Sequence, residues 1–425
     1  MRILDRYELP SVERSGFDGD LSAEERTMVD TVHRYARDVL RPMGRALDRL
    51  SAAEVIAADS PLWKVYAEYA KLGIDFAMFD ELEPAAAARL ECLVVEELAW
   101  GDAGLALSLG VAGFPLQVAQ ATGREELIAL ARGRIGCWPV TQPDLGSDMV
   151  DAYGAERHPG TTARSGNVVA RFGETEITIH GQSSAWVSNG SIAEVAVLCC
   201  PADYGAGVVS ADGTRHQCVV MVPLDRAGVS RGKPLEKLGQ ITLPQGEIFF
   251  DEVRVPRRYA VCEGEAGIPG FLSILSVAGV FMSQVFTGLA RAAFEHALAY
   301  AHERRQGGAT LIEHQLVRYR LGEMYKKIEA ARAMTRRAAH YLRAAPAPHP
   351  TVSSTAKAYV TQVGLEVANE ALQLFGGNGL TKEYPLEKLV RDARSSLIED
   401  GENYMLTLRL GSVLSQLYRR DWARA

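Results

Sequence analysis

The sequence is poor in the features that mark metal-binding and disulfide-stabilised proteins. Its 425 residues contain six cysteines, and none of them has the Cys-x-x-Cys spacing of a zinc or redox motif. We therefore expect no metal site. The adjacent Cys199 and Cys200 fall in an apolar run that is typical of a buried strand. We expect reduced thiols and a cytoplasmic location.

An excess of positive charge is also absent. The formal net charge is -7, which argues against a nucleic-acid-binding surface. The first eight residues include acids and have no apolar core, so they predict neither a signal peptide nor a transit peptide. We recognise no charge-free apolar run of about 20 residues and expect no membrane span.

The spacing of apolar residues divides the chain into three parts. Helical periodicity dominates at first and begins after a capping-box sequence at Ser22–Glu25. Short β-rich runs separated by Gly, Asp and Pro follow, and the last part contains long helical segments of the number and length of a four-helix bundle. The prediction is an α+β fold with an N-terminal helical domain (1–135), a middle β-barrel-like domain (136–260) and a C-terminal four-helix-bundle domain (261–425).

The most informative segment lies near the C-terminus. A helical pattern ends in a run with Gly376, Gly377 and Gly379, where the lack of Cβ atoms lets the backbone approach a ligand. A second helix then leads to a carboxylate cluster around Gly401, formed by Glu399, Asp400 and Glu402. A carboxylate at such a position can act as a general base.

This ordered segment resembles the C-terminal signature of the acyl-CoA dehydrogenase family of flavoproteins. The shared features are Gln-x-x-Gly-Gly-x-Gly from Gln373, then Glu-Tyr-Pro, Arg-Asp-Ala, and an acid followed by glycine. The resemblance covers nearly the entire chain from about Leu21, and it implies the fold of that family and FAD as the cofactor.

Two further segments resemble family motifs that lie along the flavin. They are Trp-Pro-Val-Thr-Gln-Pro-Asp-Leu-Gly-Ser-Asp at 138–148 and Ala-Trp-Val-Ser-Asn-Gly at 185–190. Together with the C-terminal signature, the resemblance implies a set of cofactor contacts: Trp138, Val140, Thr141, Gly146, Ser147, Trp186, Ser188, Gln373, Gly376, Gly377, Glu402 and Asn403. It also implies that Ser147 and Gly401 contact the substrate.

The segment Glu-Arg-Arg-Gln-Gly-Gly at 303–308 resembles a motif whose arginine reaches the FAD pyrophosphate of a neighbouring subunit. The resemblance implies this role for Arg304, with Gln306 as a further cofactor contact, and it implies a homotetramer or paired dimers. The alternative for Arg304 is a solvated basic helix end, which the helix dipole favours.

In the family, a carboxylate removes the α-proton of an acyl thioester while the β-hydrogen passes to the flavin as hydride, which gives a 2-enoyl thioester. The resemblance places this base at Asp400, immediately before Gly401. Aspartate is one methylene shorter than the usual glutamate. Glu399 and Glu402 therefore remain as alternative bases.

The chain departs from the family pattern at several positions. The segment Phe79–Pro84 replaces a Gly-Gly loop, the Gly181-Gln-Ser-Ser turn is one residue longer, and Gly307 replaces a phenylalanine. On the helix that contains Gly288-Leu289-Ala290, Gly279 falls where relatives carry an arginine. Ala278 falls at the alternative base position of some relatives, so Asp400 has no rival there.

Three hypotheses follow. The first is FAD-dependent dehydrogenation of an acyl-CoA or an acyl-carrier-protein thioester, with an electron-transferring flavoprotein as the acceptor. The second is a flavin-dependent oxygenase of the same fold, although such relatives lack a carboxylate at position 400. The third is a non-catalytic flavin-binding subunit, which the missing arginine and the altered loop would suit. The motifs specify neither the acyl chain nor the pathway.

Overall fold

The computed structural model describes residues 21–74, 76–152, 166–209 and 215–421, so the expectation about residues 1–8 lies outside it. The N-terminal region is helical. Its helices are α1 (Ala23–Tyr35), α2 (Arg41–Leu47), α3 (Ala52–Val55), α4 (Pro61–Ala70), α5 (Pro84–Gly101), α6 (Ala103–Thr122) and α7 (Glu125–Ala131). The Ser22 hydroxyl accepts the Glu25 N–H and the Glu25 carboxylate accepts the Ser22 N–H, so the predicted capping box forms.

The middle region contains a curled sheet. Its described strands are β1 (Gly136–Cys137), β2 (Val169–Phe172), β3 (Glu176–Gln182), β4 (Val195–Asp203), β5 (Gln217–Pro223), β6 (Val229–Arg231), β7 (Ile248–Pro256) and β8 (Ala260–Cys262). Their order is β6-β7-β3-β2-β4-β5-β8, with β1 also paired to β4. Strand β4 is buried through Cys199 and Cys200, as predicted, and all six cysteines are free thiols.

The C-terminal region is built from long helices. It comprises α8 (Gly267–Glu303), a two-stranded hairpin of β9 (Arg305–Gln306) and β10 (Ala309–Thr310), α9 (Gln315–Ala344), α10 (Pro350–Phe375), α11 (Leu386–Ser395) and α12 (Asn403–Asp421). Helices α8, α9 and α10 pack on one another, and α5 packs against α8 and α9. The fourth long helix of this region, α12, lies against α10 and the turn at Ser147–Val150.

A buried ionic cluster joins the N-terminal and C-terminal helices. Arg291 of α8 contacts Glu96 at 3.0 Å and Glu97 at 2.8 Å, and Arg332 of α9 contacts Glu96 at 2.6 Å. All four side chains are almost completely buried. Removal of one partner would therefore leave an uncompensated charge between the helices.

The structure corrects one premise about membranes. Two stretches lack Asp, Glu, Lys and Arg over about 20 residues or more: residues 103–123 and residues 266–290. By length and composition, the helices that contain them could cross a membrane. In the most apolar windows of these helices, 50% and 44% of the residues are buried inside the protein. Core helices pass the same test, so these stretches are weak evidence for a span.

The predicted fold class is confirmed. Helical N-terminal and C-terminal regions flank a middle curled sheet, in the order that the sequence patterns indicated. The first strand begins at Gly136 and α8 begins at Gly267. The exact domain boundaries at 135 and 260 stay predictions.

Candidate active site

The proposed base lies on a tight loop between α11 and α12, which we call the base loop (Leu397–Asn403). Asp400 and Gly401 both have left-handed backbone conformations, with φ values of 48° and 93°. Aspartate tolerates this region better than most residues, and glycine adopts it freely. The Asn403 N–H donates to the Leu397 carbonyl at 3.0 Å and closes the loop. The sequence thus forces a sharp turn where the carboxylate is needed.

Burial dominates the electrostatics of the base loop. It raises the pKa of Asp400, and the positive charge of Lys357 opposes this effect. Burial and the neighbouring Asp400 charge together raise the pKa of Glu399 to about 7. The Glu399 carboxylate accepts a hydrogen bond from the Gln240 amide at 3.2 Å, and Lys237 adds a favourable charge. A carboxylate with a raised pKa is suited to proton transfer near neutral pH.

Helix α10 contacts one side of the base loop through hydrogen bonds. The ammonium group of Lys357 donates to the Gly401 carbonyl at 2.6 Å and to Asn403 Oδ1 at 2.9 Å. The Asn403 amide also donates to the Ala358 carbonyl and to Thr361 Oγ1. The side-chain amide of Asn403 is thus hydrogen-bonded to α10, and the cofactor contact of Asn403 stays a prediction.

The middle domain holds the same loop from the other side. The Glu402 N–H donates to Ser147 Oγ at 2.9 Å, in the turn at which α12 also packs. The Glu402 carboxylate accepts the Met405 N–H at 3.1 Å and caps α12. Ser147, Gly401 and Glu402, which the sequence assigned to ligand contacts, therefore lie together. Gly146 is exposed in the same turn.

The two middle-domain motifs also meet. Thr141 Oγ1 and Ser184 Oγ lie 2.6 Å apart, and the Ser184 N–H donates to the Thr141 carbonyl at 2.9 Å. Trp186 follows with 60% of its surface exposed, although a large aromatic side chain is usually buried. Ser188 Oγ accepts from the Gln245 amide at 3.4 Å. Hydroxyls and an open indole ring on one surface form a typical contact for a planar aromatic ligand.

Two other predicted contacts of this region face inward. The Trp138 indole N–H donates to Cys199 Sγ at 3.2 Å, and its ring packs against Phe114. Val140 packs against the same apolar cluster. Both side chains are only partly buried against this cluster, and the cofactor contacts of Trp138 and Val140 stay predictions.

A second group of predicted residues lies at the far ends of α8 and α10. The Tyr300 ring stacks on Phe375 at 3.9 Å between centroids, and its hydroxyl accepts from the Asn378 amide. This packing places the end of α8, with Arg304 and Gln306, beside the glycine loop. Gln373, Gly376, Gly377, Arg304 and Gln306 are all exposed. A Cβ atom built on either glycine would meet no atom within 4 Å, so the loop presents open backbone.

The two groups of predicted cofactor contacts are far apart in one chain. Lys357, beside the base loop, and Gln373, beside the glycine loop, both lie on α10. At about 1.5 Å per residue, they are separated by about 24 Å along the helix axis. The single chain therefore brings together the contacts of the middle domain and the base loop, and it does not bring the second group to them.

Two departures from the family pattern have a visible cause. Gly307 and Gly308 form the two-residue turn between β9 and β10, with φ values of 62° and 83°. Such a hairpin turn strongly favours glycine at both positions. Gly279 packs against α10, where a Cβ atom would lie 3.4 Å from the Ser353 carbonyl oxygen. A Cβ atom would already touch α10 there, so a side chain as long as arginine would meet that helix.

Sequence reasoning missed Lys357, Gln240, Lys237 and Ser184. Lys357 carried a signal, since it occupies the apolar stripe of α10 between Ala356 and Val360, and a lysine at a buried position needs a specific partner. The other three lie in loops and a strand end whose contacts come from distant parts of the chain. Their spacing gave no signal.

Comparisons with known proteins show which proteins this chain resembles. Residues 267–414 match the family model "Acyl-CoA dehydrogenase, C-terminal domain". A short-chain-specific acyl-CoA dehydrogenase of Clostridium acetobutylicum is 28% identical over 393 residues, which cover 90% of this chain and 96% of the relative. The chain is similar to acyl-CoA dehydrogenases over most of its length, and residues 267–414 carry the C-terminal domain of that family. The resemblance predicted from the sequence is confirmed.

Solved structures show the same fold. A glutaryl-CoA dehydrogenase from Mycobacterium smegmatis superposes with a TM-score of 0.78 at 24% identity, and the match covers 96% of this chain and 99% of that one. A prolyl acyl carrier protein oxidase superposes with a TM-score of 0.75 at 20% identity, covering 93% of this chain and all of the other. These similarities show that the chain has the same fold as these enzymes.

Proposed function

We propose that the protein is a FAD-dependent enzyme that oxidises an acyl thioester to its 2-enoyl thioester, with Asp400 as the general base. One observation carries the proposal. The half-buried carboxylate of Asp400, whose pKa is raised, lies on a loop that is hydrogen-bonded to Ser147, in the motif that resembles the family's flavin-binding segment. The similarity to acyl-CoA dehydrogenases supports the same chemistry.

The structure fits FAD as the cofactor. Trp186 offers an open aromatic surface beside the hydroxyls of Thr141 and Ser184, and a flat ring system can lie against such a surface. The guanidinium group of Arg304 and the exposed backbone of the glycine loop could bind the phosphate groups of FAD. When bound, the flavin would supply the acceptor for the hydride that leaves the β-carbon.

The residues of the chain would carry the remaining work. Asp400 would take the α-proton, and the fixed backbone of the base loop would orient the thioester for that transfer. Burial would keep water away and hold the pKa of Asp400 closer to neutral than that of a solvated aspartate. The aspartate side chain is short, so the loop has to bring its backbone closer to the substrate.

Oligomerisation is part of the proposal. The two groups of cofactor contacts lie about 24 Å apart along α10, so a complete site requires the second group from another copy of the chain. We therefore expect a homotetramer or a dimer. An electron-transferring flavoprotein is the expected acceptor. Both CoA and carrier-protein thioesters remain candidate substrates, because relatives and structural neighbours include enzymes named for each.

The test is anaerobic mixing of the FAD-loaded protein with a panel of acyl-CoA and acyl-carrier-protein thioesters, with the flavin absorbance followed in time. We expect bleaching with at least one thioester and a loss of rate of about 10²–10⁴-fold for Asp400→Asn. Asp225→Asn, at an exposed position after β5, is the matched control.

Two results would contradict the proposal. Bleaching by no thioester, in a protein that retains FAD, would favour oxygen chemistry or a non-catalytic subunit. Full bleaching by Asp400→Asn would exclude Asp400 as the base, and the same assay on Glu399→Gln and Glu402→Gln would then identify the working carboxylate.

A further inference from the structure

The buried lysine on α10 has an unusual environment for a charged side chain. Lys357 is 0% exposed and lies on the core face of the helix, next to Ala356 and one turn before Val360. Both of its hydrogen-bond acceptors, the Gly401 carbonyl and Asn403 Oδ1, are neutral oxygens. Burial of a full charge is costly unless the charge is paired, so a second source of stabilisation is needed.

The carboxylates of the base loop provide part of that stabilisation. Burial has the largest effect and lowers the pKa of Lys357 to about 8, and the charges that oppose it are, in decreasing order, those of Asp400, Glu399 and Glu402. Lys357 is in turn the charge that favours ionised Asp400. The ammonium group thus bonds the backbone of the loop and faces its carboxylates through space.

The peptide group between Gly401 and Glu402 is hydrogen-bonded at both its carbonyl and its N–H. The carbonyl of Gly401 accepts from Lys357 at 2.6 Å, while the N–H of the same peptide, on Glu402, donates to Ser147 Oγ at 2.9 Å. Lys357 belongs to the C-terminal region and Ser147 to the middle region. The peptide between Gly401 and Glu402 is therefore held between two regions of the protein, one residue after Asp400 and its left-handed backbone.

We propose that Lys357 is a positioning residue of the active site: it fixes the backbone of the base loop and supplies the positive charge beside which Asp400 works as a base. The proposal rests on the proposed function of Asp400. A lysine that only filled the core could be replaced by methionine without a specific effect on proton transfer. A positioning lysine could not.

Other charged groups also lie near the base loop. Lys237 faces Glu399, and Asp151 is paired with Arg409 of α12 at 2.7 Å. The part of α8 that packs nearby is apolar, with Phe271, Ile274 and Leu275 in the same cluster as Leu406. Of these groups, Lys357 alone combines a favourable charge toward Asp400 with a bond to the loop backbone.

The experiment compares four proteins: wild type, Lys357→Met, Lys357→Arg and Thr361→Val. Methionine removes the charge and both bonds, whereas arginine keeps a charge in altered geometry. Thr361→Val removes a hydrogen bond between Asn403 and α10, at the same contact with the base loop, and leaves all charges in place. The FAD-loaded proteins are measured by hydrogen exchange and by the pH dependence of flavin reduction.

The first measurement needs no substrate. In Lys357→Met we expect the amide of Glu402 to exchange about tenfold faster or more, because the peptide has lost its charged partner, while interior amides of α10 keep their wild-type protection. Unchanged protection at Glu402 would overturn the positional part of the proposal. This result stands whether or not the wild type oxidises thioesters.

The second measurement follows the acid limb of the pH profile, which is the fall in the flavin-reduction rate at low pH as Asp400 becomes protonated. Loss of the nearby positive charge should raise the pKa of Asp400 and move this limb to higher pH by about one unit or more in Lys357→Met. In Lys357→Arg and Thr361→Val the limb should stay at its wild-type pH, and the maximal rate should fall instead. An unmoved limb in Lys357→Met would overturn the electrostatic part.

The proposal can still be tested if the Lys357→Met variant fails to fold. If Lys357→Met does not fold, Lys357→Gln replaces it, since the amide can still donate to Gly401 while the charge is lost. The limb should then move although exchange at Glu402 changes little, and an unmoved limb would again overturn the electrostatic part. If no thioester bleaches the wild type, the proposed function fails, while the exchange data still decide the positional part.

Discussion

A pH-dependent gain of stability on neutralising Glu399 is the sharpest test of the electrostatics around the base loop. The folded protein raises the pKa of Glu399 from its ordinary value of 4.5 to about 7, mainly because the carboxyl group is buried and because Asp400 lies beside it. The folded state therefore binds this proton more tightly than the unfolded chain does. Glu399→Gln removes the ionisation and keeps an acceptor for the Gln240 amide.

The sign follows from proton linkage. Between pH 4.5 and 7 the folded protein retains a proton that the unfolded chain releases, so the wild type loses stability as the pH rises through this window. Each tenfold change in proton affinity corresponds to about 1.4 kcal/mol, which sets an upper limit of about 3 kcal/mol for the loss. The side chain is partly accessible, and solvent screening reduces the expected value to about 1–2 kcal/mol.

The assay is urea unfolding of wild type and Glu399→Gln at several pH values from 4 to 8, at one fixed protein concentration, because assembly would contribute to apparent stability. The variant should gain stability relative to the wild type as the pH rises and reach a constant advantage above about pH 7. Any difference that is constant with pH reflects the altered hydrogen bond. Glu174→Gln, at an exposed turn between β2 and β3, controls for a general change in net charge.

The result that would refute this reasoning is a difference between variant and wild type that stays flat across the range, or that changes in the opposite direction. A flat difference would mean that Glu399 titrates alike in the folded and unfolded states. A reversed slope would mean that Lys237 and Gln240 stabilise the ionised form by more than burial destabilises it.

Two further predictions concern the framework that supports the site. Arg291→Met should lower the free energy of unfolding by about 3–5 kcal/mol, because it leaves the buried Glu97 with only the His33 ring as a partner; calorimetry checks this, and a loss below 1 kcal/mol would contradict it. Gly401→Ala should slow flavin reduction and cost about 1–3 kcal/mol of stability, because its φ is 93° and the new Cβ would lie 2.9 Å from Leu406. Wild-type rates in Gly401→Ala would show that the base loop tolerates rearrangement.

The fold could be predicted from the sequence because its signals are local. The capping box at Ser22, the alternating runs of the middle region and the long helical segments of the C-terminal region each depend on residues close in sequence. The error about charge-free apolar runs had a different origin. Residues 266–290 are as apolar as a membrane helix because α8 passes through the centre of the bundle and meets apolar partners on most sides.

The motifs of the candidate site could also be located from the sequence, but the use of each side chain could not. Ser147 and Glu402 were expected to meet a ligand, and the structure shows that they also bond to each other. Asn403 was expected at the cofactor, and the structure shows that its amide also binds α10. In each case the deciding contact joins residues about 45 or more positions apart, and a motif carries no information about such a partner.

The substitution of aspartate for the family's glutamate gains a physical interpretation from the same contacts. A shorter base can reach the substrate only if its backbone lies closer to the substrate. That closer backbone position is maintained only if the loop is held in place. Here the peptide after Asp400 and Gly401 is fixed by Lys357 on one side and by Ser147 on the other, while Gly401 supplies a conformation that other residues adopt with strain. A loop held in this way can support proton transfer by a short side chain, whereas a mobile loop would need the reach of a longer one.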